Sequence, residues 1–88
     1  MEITFSPAFI KAFNKKSKFN SLLVRNFRDT IDIFKQNPFD MRLKTHKLSG
    51  ELKDFYSFSL EYDCRIIFYF TDNNKVVFFD VGSHDEVY

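Results

Sequence analysis

The spacing of the apolar residues changes once along this chain, at Asn37-Pro38, and that change limits the folds that the chain can adopt. Before Pro38, apolar residues recur every three to four positions, as they do on one face of a helix. From Asp54 onwards they alternate with polar residues, as they do in strands. A length of 88 residues fits one domain. We therefore expect a single α+β domain over residues 1–88.

Two helices are predicted before Pro38, and each has a recognisable start. Ser6-Pro7 supplies an N-cap hydroxyl and then a proline at the first helical position, where a missing N–H costs nothing. The second helix begins near Asn20-Ser21. It ends at Asn37, because the residue before a proline is disfavoured in the α conformation. Together the two segments are expected to form an antiparallel helical hairpin.

Four strands are predicted around this hairpin, one before it and three after it. They cover residues 2–5, 54–61, 65–70 and 76–81. Phe39–Ser49 is expected to be an irregular basic connector, Asp72–Asn74 a hairpin turn, and Ser83–Tyr88 a short tail. The expected order is β-α-α-β-β-β, which predicts a small twisted, antiparallel-rich sheet with the helical hairpin packed on one face.

The composition indicates a chain with an aromatic core and without disulfide bonds or a membrane-spanning segment. Thirteen Phe and four Tyr provide the large side chains that a short chain needs for a core. The single cysteine, Cys64, excludes an intramolecular disulfide, and we expect it to be buried. The longest wholly apolar run, Ile66–Phe70, is too short to cross a bilayer, and Met1–Thr4 lacks signal-peptide features. A cytoplasmic protein without membrane association is expected.

Charge is distributed unevenly along the chain, although the net charge is only +1. Residues 1–53 contain eleven Lys and Arg against five Asp and Glu, whereas residues 54–88 contain two against seven. Such a chain can present a basic surface to an anionic partner. Ordinary solvated helix faces would produce the same pattern, and charge alone does not separate the two readings.

His46 and His84 are the only histidines, and both are placed at the ends of predicted elements. Histidine can accept and donate a proton near neutral pH, so two of them beside an arginine would suit RNA cleavage. Exposed loop histidines without a function are equally compatible. Arg65 opens an otherwise apolar strand; it either pairs with a nearby carboxylate (Asp63, Asp80 or Glu61) or binds phosphate.

The remaining candidates are a terminal aromatic and three lysines. Tyr88 could stack on an RNA base or simply pack on the sheet. Lys44, Lys47 and Lys53 could contact phosphates or be plain surface residues. The sequence contains no glycine-rich phosphate loop, no His-Glu-x-x-His motif and no Cys/His cluster.

Three segments together resemble the RelE/ParE toxin superfamily. His46–Ser57 resembles its x-x-L-x-G-x-(L/W)-x-(G/D)-x-(Y/W)-S segment, Asp63–Phe68 its D-x-R-(I/L)-(I/V)-(Y/F) strand, and Gly82–Tyr88 the G-x-H-x-x-(V/L/I)-(Y/F) ending of its ribonuclease members. The closest likeness is to YafQ-like and RelE/StbE-type toxins. This resemblance implies the toxin of a type II toxin–antitoxin pair.

Such toxins are mRNA endoribonucleases that act in the ribosomal A site without metal or cofactor. The resemblance implies that His46 is the general base, Arg65 the phosphate-stabilising residue and His84 the general acid. Asp63 would support the site, and Tyr88 matches the terminal aromatic. The implied partners are a cognate antitoxin, the ribosome and mRNA, with operator DNA bound only through the antitoxin complex. The alternatives are a ParE-like gyrase inhibitor and an inactive, antitoxin-binding relative.

Overall fold

The computed structural model describes residues 1–72 and 74–88, and these form an α+β fold. A five-stranded sheet carries a pair of long helices on one face. A short third helix follows the last strand. The strands are β1 (Glu2–Phe5), β2 (His46–Lys47), β3 (Tyr56–Glu61), β4 (Cys64–Thr71) and β5 (Lys75–Gly82). The helices are α1 (Pro7–Ser17), α2 (Ser21–Gln36) and α3 (His84–Val87).

The strand order is β1-β5-β4-β3-β2, with β1 parallel to β5 and every other neighbouring pair antiparallel. The predicted fold class is therefore confirmed: an antiparallel-rich sheet with the α1–α2 hairpin on one face. Because the first strand returns to pair with the last, β5 is an inner strand of the sheet, as are β4 and β3. No helix in the described part of the chain is both long and apolar enough to span a membrane.

Both long helices begin where local chemistry predicts. The Ser6 hydroxyl accepts a hydrogen bond from the Phe9 backbone N–H at 3.0 Å, and Pro7 occupies the first turn. The Asn20 side chain accepts from the Leu23 N–H at 3.0 Å at the start of α2. Each cap satisfies one of the N–H groups that a helix start leaves without a partner. Asn37 ends α2 in an extended conformation, as predicted for the residue before a proline.

Phenylalanine dominates the core between the hairpin and the sheet. Phe34 of α2 is completely buried, with its ring centroid 5.0 Å from those of Phe58 and Phe68 and 5.2 Å from that of Phe78. Aromatic pairs at these distances contribute beyond their buried area. Cys64 is buried as predicted, and burial raises the pKa of its thiol to about 11.

Two segments differ from the sequence prediction. Within the predicted irregular connector, His46 and Lys47 form β2, which is too short for alternation to reveal. Residues of the predicted tail form α3, because the Ser83 and Glu86 side chains each bond to the other's backbone N–H in a capping box. The predicted Asp72–Asn74 turn lies partly outside the described residues, since Asn73 is not described. Asn74 has a left-handed φ of 59°.

Candidate functional site

The face of the sheet opposite the helical hairpin, which we call the open face, holds His46 and Arg65. Strand pairing sets their positions: His46 pairs with Ser57, Ser59 with Arg65, and Arg65 with Gly82. Paired residues point to the same side of a sheet, and these alternate with core residues such as Phe58. The side chains on this face of β2, β3, β4 and the end of β5 therefore form one continuous surface. Helix α3 begins beside it, just after Gly82.

His46 is linked to the C-terminal tail through Ser57. The His46 Nε2 atom lies 3.4 Å from the Ser57 hydroxyl, and the Tyr88 hydroxyl donates a hydrogen bond of 2.6 Å to the same Ser57 oxygen. The other ring nitrogen, Nδ1, lies 3.3 Å from the Lys44 carbonyl oxygen. His46 remains exposed to solvent despite these contacts.

His84 approaches the same cluster from the tail. It is the first residue of α3 and is exposed, and its ring centroid lies 4.5 Å from that of Tyr88 in an edge-to-face arrangement. Its backbone N–H donates a long hydrogen bond, 3.5 Å, to the Asp63 carboxylate. Two residues that are far apart in sequence, His46 and His84, are thus connected through Tyr88 and Ser57.

Arg65 is half-buried in β4, and its Nε atom is buried without a hydrogen-bond partner among residues 1–72 and 74–88. Within the same described residues it forms no ion pair, so the pairing with Asp63, Asp80 or Glu61 considered above is not seen. A guanidinium N–H left without a partner costs desolvation free energy that a bound anion would recover.

A cleft of about 550 Å³ lies beside Arg65 and is also lined by Arg42, Lys44 and Asp63. Arg42 forms a two-pronged ion pair with Asp40, at 2.9 and 3.0 Å, and this interaction lowers the pKa of the Asp40 carboxyl to about 2. Its charge is therefore already matched. Arg65 and Lys44 are the cations of this cleft that have no carboxylate partner among the described residues.

The tail is held by contacts with helix α1 and with the end of β5, and by a hydrogen bond within the tail itself. The Lys16 ammonium of α1 donates a 2.6 Å hydrogen bond to the Glu86 carboxylate, which also accepts from the Ser83 N–H at 2.7 Å. The hydrogen bond from Lys16, followed by that from Ser83, lowers the pKa of Glu86 to about 2. Gly82 leaves room for the helix, because a Cβ there would lie 3.0 Å from atoms of Glu86 and Val87.

The three predicted lysines do not gather at one place. Lys44 lines the cleft beside Arg65, with a left-handed backbone φ of 54°. Lys47 pairs with Tyr56, which packs against the core, so Lys47 belongs to the opposite side of the sheet from His46. Lys53 is exposed after the 3₁₀ turn Gly50–Leu52 and lies outside the cluster.

Ser57 is a residue that the sequence did not single out as a site candidate. It is the buried polar residue among the described ones, with none of its surface exposed, and it touches both His46 and Tyr88. The available signal was the Tyr-Ser pair at the end of the first resemblance segment. No cluster of three or more His, Cys, Asp or Glu suited to a metal ion occurs in the part of the chain that the structure describes.

Comparison with solved structures identifies the fold. A YafQ from Escherichia coli strain BL21(DE3) superposes with a TM-score of 0.80 at 20% identity, covering 99% of this chain and 97% of that one. A YoeB/ParE toxin from Agrobacterium tumefaciens superposes with 0.81 at 15% identity, covering 96% and 99%. YafQ in the E. coli DinJ–YafQ toxin–antitoxin complex gives 0.73 at 22%, covering 99% and 96%. The fold is that of the RelE-like toxins.

The family follows from the sequence of the whole chain. A family model described as bacterial toxin of type II toxin–antitoxin system, YafQ, matches residues 1–88. The chain belongs to this YafQ toxin family, which confirms the resemblance seen in the sequence. It is therefore a toxin of a type II toxin–antitoxin system. A search of curated proteins found no significant match.

Proposed function

We propose that this toxin is a ribosome-dependent endoribonuclease that cuts mRNA by attack of a 2′-hydroxyl on the neighbouring phosphate. The observation that carries the proposal is the arrangement on the open face. Two exposed imidazoles, His46 and His84, are joined through Tyr88, and Arg65 lies nearby with a buried Nε that has no partner in the described residues. These groups match the three needs of the reaction.

In the proposed step, His46 Nε2 accepts the proton of the 2′-hydroxyl as the 2′-oxygen bonds to phosphorus. His84 donates a proton to the 5′-oxygen as its bond to phosphorus breaks, leaving a 2′,3′-cyclic phosphate and a 5′-hydroxyl. The Arg65 guanidinium stabilises the negative charge that builds on the phosphate oxygens. This chemistry needs no metal. Cleavage should therefore persist when EDTA removes transition metals, with magnesium added in excess to keep the ribosomes intact.

Substrate binding would use the basic part of the cleft and the exposed ring of Tyr88. Lys44 and Arg65 line the same cleft and would contact phosphates, while the half-exposed Tyr88 ring offers a surface on which a base can stack. Asp63 would support the site by holding the start of α3. For Lys47 and Lys53 we propose contacts further along the bound RNA, away from the scissile bond.

The proposed partner in the cytoplasm is a cognate antitoxin, by analogy with the DinJ–YafQ complex. The antitoxin would cover the open face or displace the tail, and it would account for any binding to operator DNA. Covering this face would block the RNA and also shield Arg65, whose Nε has no partner among the described residues.

Primer extension on a defined mRNA, with and without translating ribosomes, tests the proposal. We expect new 5′ ends at codon-spaced positions with ribosomes only. His84→Ala and Arg65→Ala should each lower the cleavage rate by at least ~10²-fold, as loss of a catalytic acid or charge stabiliser does. Lys75→Ala removes an equal charge at the far end of β5 and should leave the rate unchanged.

Full activity of either site variant would remove that residue from the mechanism. Intact mRNA in every reaction, together with inhibited DNA supercoiling by gyrase, would replace the proposal by the ParE-like alternative. Intact mRNA without growth arrest would instead indicate an inactive relative that binds its antitoxin.

A further inference from the structure

Ser57 has a buried hydroxyl between two functional candidates, and the mechanism above gives it no role. A buried hydroxyl is costly unless it is hydrogen-bonded. Here the Ser57 oxygen accepts from the Tyr88 hydroxyl at 2.6 Å, and His46 Nε2 lies 3.4 Å away. Among the described residues, His46 is the acceptor available to the Ser57 proton.

The direction of these hydrogen bonds follows from one atom that can only accept. The Lys44 carbonyl oxygen has no proton, so a hydrogen bond across the 3.3 Å between it and His46 Nδ1 requires the hydrogen to be on Nδ1. The neutral ring then has its lone pair on Nε2, and Ser57 donates to it. Tyr88 in turn donates to Ser57, which gives an ordered chain from the tail to the histidine. The free ring would exchange between both tautomers.

The same hydroxyl also suits the protonated ring. Once Nε2 has taken up a proton, both ring nitrogens are donors, and the Ser57 oxygen can accept from Nε2 after a rotation of its O–H bond. A hydroxyl that reverses its role interacts favourably with the base before and after proton uptake. An alanine methyl group can do neither.

We propose that Ser57 is a positioning residue that holds His46 in the Nδ1–H tautomer, with Nε2 free of hydrogen. The catalytic part of this inference rests on the proposed role of His46 as general base. The tautomer part does not depend on RNA cleavage, so the two can fail separately.

The tautomer is measured by the ¹⁵N chemical shifts of the His46 ring in the intact protein, at a pH where the ring is neutral. We expect protonated Nδ1 and unprotonated Nε2 in the wild type, and shifts of a tautomer mixture in Ser57→Ala. Ser59→Ala is the matched control, because Ser59 lies two residues along β3 on the same face but pairs with Arg65. It should leave the His46 shifts unchanged.

Tyr88→Phe provides a second variant that keeps Ser57 and the aromatic ring. Ser57 can still donate to His46, so the Nδ1–H tautomer should persist, while the tail loses its bond to the sheet. Wild-type shifts in Ser57→Ala, or an Nε2–H tautomer in the wild type, would overturn the inference. A melting temperature for Ser57→Ala close to that of the wild type separates a changed tautomer from a changed fold.

Cleavage kinetics test the coupling to catalysis. Ser57→Ala should lower kcat by roughly 10-fold or more with KM nearly unchanged, as loss of an orienting partner does. In a His46→Ala background the same change should have almost no further effect, because Ser57 acts through His46. An undiminished effect in that background would overturn the positioning role. Full activity of His46→Ala alone would instead remove His46 from the proposed mechanism. It would not affect the conclusion about the His46 tautomer, which the chemical shifts test.

Discussion

Gly82→Ala adds a single methyl group at the point where the tail meets the sheet. The new Cβ would lie 3.0 Å from Glu86 Cβ, Glu86 Oε1 and Val87 Cγ1, three atoms that all belong to α3. Ordinary contacts of this kind begin near 3.4 Å. The backbone of Gly82 itself is not in the left-handed region, so the strain is steric and is directed at the helix.

The short helix should yield rather than the sheet, because α3 has only four residues and Gly82 is paired with Arg65 in the inner strands. Overpacking by one methyl group typically costs about 1–3 kcal/mol. If this free-energy cost falls entirely on the docked tail, the ratio of docked to undocked tail decreases by about 5- to 150-fold. The core around Phe34 is not touched, so global unfolding should change little.

Hydrogen exchange of the Tyr88 amide reports whether α3 is formed, since this N–H at the end of that helix donates to the His84 carbonyl at 3.0 Å. Exchange should accelerate in Gly82→Ala, and mRNA cleavage should fall with it. Gly50→Ala is the matched control: its φ of 69° makes alanine strained there, but no atom lies within 4 Å of the new Cβ. Wild-type exchange and activity in Gly82→Ala would refute the view that close packing at Gly82 holds the tail in place.

Two further outcomes follow from the contacts described. The folded-state pKa of Glu86, about 2, is lower than the ordinary value of 4.5. The ionised Glu86 carboxylate therefore stabilises the tail fully above about pH 4.5, and this stabilisation is lost as the pH falls through about 2. Tyr88 amide exchange across this range checks it, and Lys16→Met should move the loss to higher pH; a profile identical to the wild type would contradict this reading. Phe34→Ala should lower the free energy of unfolding by about 3–5 kcal/mol in urea titrations, whereas Phe19→Ala, at a side chain 96% exposed, should change it by less than about 0.5 kcal/mol; similar losses for both would contradict the assigned core.

Much of the fold could be predicted because its signals are local. The caps at Ser6 and Asn20, and the stop before Pro38, depend on neighbours within a few residues and were found where expected. The alternation after Asp54 correctly predicted strands in this part of the chain. By contrast, β2 is only two residues long and is defined by its partner strand, so no periodicity within it could reveal it.

The sequence named the residues of the candidate site, but it could not give the contacts between them. Arg65 stood out as a charge in an apolar strand, but only the fold shows that its Nε lacks a partner within the described chain. The Lys16–Glu86 pair joins residues from opposite ends of the sequence, and no spacing rule links them. Lys47 looked equivalent to Lys44 in the sequence, yet strand pairing puts it on the other side of the sheet from His46.

The parallel pairing of β1 with β5 ties assembly of this toxin to the order of its synthesis. β1 is the first strand to be made and β5 the last of those described, yet they are neighbours, and β5 supplies Phe78 to the core. Contacts between such distant residues close late and slow folding. His84 and Tyr88 follow β5 directly, so the open face of a nascent chain lacks these two residues of the proposed site until β5 has been translated. Until then a partly made chain cannot form the hydrogen bond from Tyr88 to Ser57 that joins the tail to the proposed site.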